Sequence, residues 1–263
     1  MNILFIGDIV GKVGRKALTK NLSKIKKDFD IKFVIANGEN ISHGKGMNLN
    51  HYNFLTNIGV DCITLGNHYA DREEIKDYID SKNNICRPLN IKEEFPGVGS
   101  QVFNVNGISL RVTNLLCEAY LNFEVNDPYK SIEEVIKTDT SNIHIIDLHG
   151  ESSGEKKALA YLLVNRVSAV IGTHTHVQTH DAQILADSLL DIADVEMCGS
   201  YNSVIGTEKN SVIDRIILKK PNAKFKYLED DDSLFNAVVL QFDETNFKGI
   251  GIIPLNIINR KGE

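Results

Sequence analysis

NILFIGD, residues 2–8, is a run of apolar residues that stops at a glycine and a carboxylate. Residues 2–7 read as a strand. The stretch from 15 to 29 then sets Ala17, Leu18, Leu22, Ile25 and Phe29 at helical spacing, and IKFVIA at 31–36 reads as a second strand. Residues 50–58 predict a helix with Tyr52, Leu55 and Ile58 on one face, 62–65 a third strand, and 72–81 a third helix. Such a βαβαβ series predicts a parallel sheet covered by helices, an α/β fold.

The middle of the chain changes character. QVFNVNGISLRVTNL, starting at Gln101, places Asn-Gly between two alternating runs, the signature of a β-hairpin. A helix is expected over 132–137, a buried strand over 143–149, a helix over 155–164 and a strand over 168–172. FNAVVLQFD and GIGIIPLNII, joined by ETNFK, predict a second hairpin near the end. Parallel units and antiparallel strands are therefore mixed. No repeat, low-complexity tract or interdomain linker stands out, so residues 1–263 are expected to form one domain. The acidic EDDDS at 229–233 reads as a solvated turn.

The composition is that of a globular protein: 42% hydrophobic, 24% charged, net charge −6. That charge argues against a nucleic-acid polymer as a stable partner, but it allows a small phosphate ester in a local pocket. A homo-oligomer is compatible with everything read here. Cys62, Cys86, Cys117 and Cys198 lie far apart with no Cys-x-x-Cys pair, as suits a reducing compartment, and a cytoplasmic location is expected. No signal peptide and no membrane span are expected.

Polar residues collect where the expected strands end. Gly7-Asp8 follows the first, Asn37-Gly38-Glu39-Asn40 the second, and Gly66-Asn67-His68 the third. His149-Gly150-Glu151 follows IHIIDL, and Thr173-His174-Thr175-His176 follows SAVIG. In a parallel sheet these carboxyl ends share one edge, where open α/β proteins bind ligands. Asp8, Glu39, Asn40, Asn67, His149, His174 and His176 offer oxygen and imidazole donors without a thiolate, which suits Mn, Fe or Zn. Seven donors exceed a structural zinc site. They suffice for two metals sharing a carboxylate with positions left for water and substrate. Each residue also has an ordinary reading: Asp8 could cap the following helix and Asn67 could serve a turn. His51, His144 and His180 read as ordinary core or surface residues. His43, in the Gly-rich SHGKG, is either a loop residue or part of the pocket wall. GDIVGKVGRK lacks the spacing of a phosphate-binding P-loop, and no nucleophile elbow is present. A His-x-His amidohydrolase barrel is disfavoured because its histidine pair belongs near the first strand.

GD at 7–8, GNH at 66–68 and the His-x-His of GTHTH resemble the calcineurin-like metallophosphoesterases. The fuller set GDIVG, NGEN, LGNH, DLHGESSGEK, GTHTHVQT and SVIG resembles one branch, the YmdB-like 2′,3′-cyclic-nucleotide 2′-phosphodiesterases, over residues 1 to 207. The resemblance implies a four-layer αββα sandwich of mixed sheets with two metals at its edge. It implies Asp8, Glu39, Asn40 and His176 around one metal, Glu39 as the bridge, and Asn67, His149 and His174 completing the second. His68 matches the proton donor. Iron is the metal implied, with manganese a substitute. Val10 stands where the wider superfamily has a histidine, as in this branch. Ala70 replaces a tryptophan of the family pattern, Glu196 a glycine, and Ser200 a proline.

The activity expected is hydrolysis of 2′,3′-cyclic nucleotides, with 3′,5′-cyclic ones a further candidate. A metal-bridged hydroxide would attack phosphorus while His68 protonates the leaving oxygen. Arg87, in CRPLN, could hold a phosphate oxygen. Two alternatives stay open: a metal-bound regulatory or nucleotide-binding protein without turnover, and a phosphomonoesterase or nuclease on the same site.

Overall fold

A computed structural model describes residues 1–122 and 124–262. Its first half runs β1 (Asn2–Ile6), β2 (Asp8–Ile9), α1 (Gly11–Asp28), β3 (Ile31–Asn37), α2 (Leu49–Asn57), β4 (Cys62–Thr64), α3 (Ile75–Tyr78) and β5 (Ile85–Cys86). It continues with β6 (Ser100–Val105), β7 (Ile108–Leu116), α4 (Pro128–Ile136), β8 (Ile143–His149), α5 (Ser153–Leu162) and β9 (Ala169–Thr173). The last part holds β10 (Gln183–Leu185), β11 (Leu189–Ile192), β12 (Met197–Ser200), α6 (Lys209–Val212), β13 (Ser233–Phe242) and β14 (Gly249–Asn259).

These strands make two mixed sheets. The first has eight strands in the order β2-β12-β13-β1-β3-β4-β5, with β14 on β13; the second has six, β10-β11-β9-β8-β7-β6. The N-terminal βαβαβ is parallel, as β1, β3, β4 and β5 pair in turn. β7, β8 and β9 form the matching parallel core of the second sheet. Both expected hairpins form. Asn106 and Gly107 both take positive φ, 53° and 89°, the two-residue turn that matches strand twist. β13 and β14 pair along their whole length.

Period-two alternation sorts the side chains into layers. Ile3, Phe5, Ile35, Val238 and Leu240 of the first sheet meet Leu110, Val112, Ile145 and Ile171 of the second in one buried cluster. Leu4, Ile6, Val34 and Ala36 face the other way and pack under Leu18, Leu22 and Ile25 of α1 and Leu55 of α2. On the far face of the second sheet, Ile146, Leu148 and Val170 pack against Ile132 of α4 and Leu159 and Ala160 of α5. The layers are therefore α, β, β, α.

Several expectations need correction. The helix expected over 72–81 is one turn, Ile75–Tyr78, followed by a 3-10 turn at Ile79–Ser81. Ile75, Tyr78 and Ile79 do bury at helical spacing, but the flanks are tied elsewhere: Arg72 donates to the Ser42 and Lys45 carbonyls, and Asp80 accepts from Gly97 N–H. α4 begins four residues earlier than expected because Asp127 caps it through Lys130 N–H and Pro128 fills its first turn. α1 begins at Gly11 without a side-chain cap; Gly11 N–H finds Asn40 O and Val10 N–H finds Cys198 O. The short strands β10, β11 and β12 carry no sequence signal that foretells them. The 229–233 stretch is more than a solvated turn. Glu229 and Asp230 pair with Lys12 and Lys16 of α1, Asp231 binds Ser200 and Asn202, and Asp232 pairs with Arg260.

Candidate metal centre and phosphoester site

The strand ends that the sequence singles out do converge. Five chain segments, from both sheets, bring Asp8, Glu39, Asn40, Asn67, His149, His174 and His176 to one place. Asp8, Glu39, Asn40 and His149 are buried.

The tightest cluster surrounds His149 Nε2. Glu39 Oε1 lies 3.1 Å away, Asn67 Oδ1 3.0 Å and His174 Nδ1 3.1 Å. The hydrogen-bond chain behind the ring decides what that nitrogen can do. Thr173 Oγ1 gives its one proton to Asp147 at 2.6 Å, so it accepts at 2.8 Å from His149 Nδ1–H. Nε2 then carries a lone pair aimed at two oxygens and another imidazole nitrogen. Ligand atoms that converge on one point in this way fit a bound cation. Glu39, His149 and His174 alone place three ligand atoms within 4.8 Å of one another.

The electrostatics agree. Burial disfavours a charge on His149, yet Glu39, Asp8 and Asp147 outweigh it and push the ring up to about 9. Burial and neighbouring His149 drive His174 the other way, to about 3. Burial works against the Glu39 charge, but His149 and the His68 N–H hold its carboxyl well below the usual range. Burial raises Asp8, against the pull of His176 and His149. This pocket favours positive charge at a point surrounded by ligand atoms, the condition a metal meets when it replaces a proton.

A second group lies beside it. Asn40 Nδ2 is 3.0 Å from Glu39 Oε1, 3.4 Å from Asp8 Oδ1 and 3.2 Å from His176 Nε2. A half-turn of that amide presents Oδ1 to the same space. His176 Nδ1–H donates to Ile205 O at 3.0 Å, which leaves Nε2 facing Asp8 at 3.9 Å. Glu39 touches both groups, as a shared carboxylate must. The helix-cap reading of Asp8 fails: its Oδ2 accepts from His174 N–H at 3.1 Å instead. Asn67 keeps its turn position as well as facing His149.

Backbone geometry holds these donors. His174 and His176 sit at φ 102° and 61°, left-handed values costly for non-glycine residues, and such strain gathers at functional sites. Gly66 shows close approach: a Cβ there would stand 2.4 Å from both Glu39 Oε2 and His149 Nε2. His68 follows in the same turn. Its N–H binds Glu39 Oε2 at 2.9 Å, and its Nδ1 lies 2.9 Å from Asp71 Oδ2. The ring is partly exposed, so Nε2 is free to meet a ligand.

Sequence reasoning misses the supporting shell. Lys156, buried on α5, donates to Thr173 O at 2.7 Å and to Asp194 Oδ2 at 3.0 Å. Asp194 in turn accepts from Thr175 N–H at 3.0 Å, which anchors the His-x-His turn. A lysine at an apolar helix position and an aspartate after an apolar strand are the signals that could have found it. Asn37 Nδ2 supports Asp147 at 3.1 Å. Arg87, a candidate phosphate contact, and His43, a candidate for the pocket wall, are engaged elsewhere. Arg87 donates to the carbonyls of Pro88 and Pro96, which holds its own loop. His43 is exposed at φ 54° with its ring near Glu229, and Gly44 and Lys45 line the adjoining cleft in its stead.

The profile of the YmdB-like family matches residues 4–254. This chain is a YmdB-like protein. A Bacillus subtilis 2′,3′-cyclic-nucleotide 2′-phosphodiesterase is 39% identical over 254 residues, covering 96% of this chain and 95% of that one. A solved structure of a hypothetical protein from Thermus thermophilus superposes with a TM-score of 0.92 at 33% identity, covering 98% and 100% of the two chains. A crystal structure of a Mycoplasma pneumoniae phosphatase gives the same TM-score and identity over 100% of this chain and 95% of that one. A Staphylococcus aureus structure described as a 5′-nucleotidase shares the fold at TM-score 0.62 and 14% identity, covering 99% of this chain and 55% of that one.

The departures from the YmdB-like pattern fall around the site. Glu196 has φ 75°, a value that explains why a glycine suits the position. Its carboxyl is raised by burial to about 7. Ala70 lines a separate cleft beside Asn67 and Tyr69. Ser200 donates to Asp231.

Proposed function

We propose that this YmdB-like protein is a dimetal phosphodiesterase that opens 2′,3′-cyclic nucleotides. The observation that carries the reading is the convergence of Glu39, Asn67, His149 and His174 as acceptors, Glu39 and His149 buried, with Asp8, Asn40 and His176 alongside and His68 at the rim. Asp8, Asn40 and His176 would hold one metal, Asn67, His149 and His174 the other, and Glu39 would bridge. Iron, manganese and zinc all suit this donor set. When bound, the pair supplies a water of lowered pKa and neutralises charge on the phosphate.

The chain's own residues do the rest. Thr173 and Ile205 fix the ring tautomers of His149 and His176, so that both Nε2 atoms face inward. Asp71 orients His68 through Nδ1, leaving Nε2 to meet the departing ribose oxygen. Ribose alkoxide is a poor leaving group, so a proton delivered there matters most.

The test is a substrate panel of 2′,3′-cyclic AMP, 3′,5′-cyclic AMP, a monoester and RNA, run with Mn²⁺ or Fe²⁺ and with chelator. Fastest turnover of the 2′,3′-cyclic ester, abolished by chelation, is the expected result. His68→Ala should lower that turnover by about 10²- to 10⁴-fold with bound metal retained. Metal binding without turnover of any ester would make the protein a nucleotide-binding regulator instead.

A further inference from the structure

Beside His68 and His176 opens a cleft of about 300 Å³ whose wall has had no role so far. It is built by a strap, residues 204–227, that crosses the metal-centre loops. The strap is tied by bridges from Thr207 to Val204 and Tyr227, by Glu208 N–H to Lys226 O at 2.8 Å, and by Ile205 O on the His176 ring. Its inner face is apolar: Ile205, Val212, Ile216, Phe225 and Tyr227 line the cleft above Asn40, His68 and His176. Ile205, Ile216 and Phe225 are 52%, 54% and 42% exposed. Apolar side chains left in water at the mouth of a reactive site mark a ligand surface.

The wall is also closely packed. Tyr227 packs so closely on Gly44 that a Cβ there would stand 2.2 Å from its ring. The Arg215 guanidinium lies 4.7 Å from the Phe225 ring centroid, and its Nη1 donates to Ala223 O at 3.2 Å. One side of Phe225 is thus backed by a cation.

We propose that this cleft seats the nucleoside part of the substrate, with the base laid against Phe225, Ile216 and Ile205. The inference rests on the phosphodiesterase reading, because His68 sets the direction. The oxygen that leaves belongs to ribose, and O2′ is on the carbon next to the one that bears the base. A base attached there must lie on the His68 side, and of the clefts there the apolar one is lined by His68 itself, whereas the other is lined by its neighbours Asn67, Tyr69 and Ala70. The strap's face of the cleft is mostly apolar, with Thr207, Tyr227 and, opposite, Lys45 as its polar side chains, so the base is held chiefly by its face. Purines and pyrimidines are both accepted, the larger stacking area being preferred.

The experiment compares metal-loaded wild type with Phe225→Ala and Ile216→Ala. Two substrates are used: 2′,3′-cyclic AMP, and methyl ribofuranoside 2,3-cyclic phosphate, which has no base. The ratio of kcat/KM for the two should fall about tenfold in Phe225→Ala, the size of one lost base–aromatic stack, and the loss should appear in KM. Titration of adenosine 3′-phosphate by calorimetry reads the cleft without turnover. Weakened binding in the variants, with no hydrolysis by wild type, would keep the cleft and remove the phosphodiesterase reading. An unchanged substrate ratio would overturn the inference. So would a change in sedimentation mass of Phe225→Ala with its nucleotide binding intact, since the apolar face would then belong to a second copy of the chain.

Discussion

Among single residues, the position of Thr173 decides how His149 behaves. One hydroxyl proton is available, Asp147 takes it, and the imidazole must then point its other nitrogen into the cluster. Thr173→Val keeps the side-chain shape and removes this relay. Metal affinity is expected to fall about 10- to 100-fold, as when the outer partner of a metal-bound histidine is lost. Metal retained against a graded chelator, measured by elemental analysis, checks this, and unchanged retention would show that the ring is held by packing alone. The donors themselves are legible in the sequence because each follows an apolar strand in a short polar turn. Thr173 is legible only as a member of that turn. Nothing in a linear string says which hydroxyl faces which ring. Arg87 and His43 show the converse: nearness to a site in sequence does not place them in it, because Arg87 is taken up by nearby carbonyls and His43 stands exposed outside the cluster.

Among the helices and strands, the buried pair Lys156–Asp194 links α5 to the segment after β11. Both side chains are nearly sealed, 2% and 1% exposed. Lys156→Met leaves the Asp194 charge buried with only N–H partners, at a cost of about 3–5 kcal/mol. Urea unfolding should show it as a lower midpoint, and a loss under about 1 kcal/mol would place the pair among solvent-screened ones. Long periodic elements are readable: β1, α1, β3, β8 and the two hairpins stand within a few residues of expectation. Failures come where tertiary partners replace local signals. α1 starts early because a distant carbonyl, Asn40 O, satisfies Gly11 N–H. α3 stops after one turn because its flanking side chains bind other loops. β10, β11 and β12 have three or four residues each, too few to show a period.

Across the molecule, the two sheet edges divide the work. The carboxyl edge gathers the candidate ligands, and the opposite edge holds a half-buried cluster of ionisable groups that the chemistry does not use. There His144 Nδ1 and Arg111 Nε lie 2.8 and 2.9 Å from Asp139, and His144 Nε2 lies 2.8 Å from Thr113 Oγ1. Burial alone would raise the Asp139 carboxyl, but His144, Ser141 and Arg111 outweigh it and hold it well below the usual range. A carboxyl depressed in the folded state stabilises above its unfolded pKa of about 3.9, and that stability is lost as pH falls below it. Urea midpoints should therefore drop as pH goes from 6 to 3, and Asp139→Asn should be less stable at pH 6 with a shallower drop. Parallel acid profiles for the two proteins would exclude this cluster from acid unfolding.

Residue type and short-range period suffice for the alternation of strands and helices, the hairpins and the chemical nature of the donor set, so all three can be read from the linear chain. Folding in three dimensions was needed to set β8 and β9 against β1 and β3 across a shared core, which brings His149 within 3.1 Å of Glu39 from 110 residues away. Pairing of sheets, ring tautomers and the strap over His176 all depend on contacts between distant segments, and those exist only once the apolar faces have been buried together.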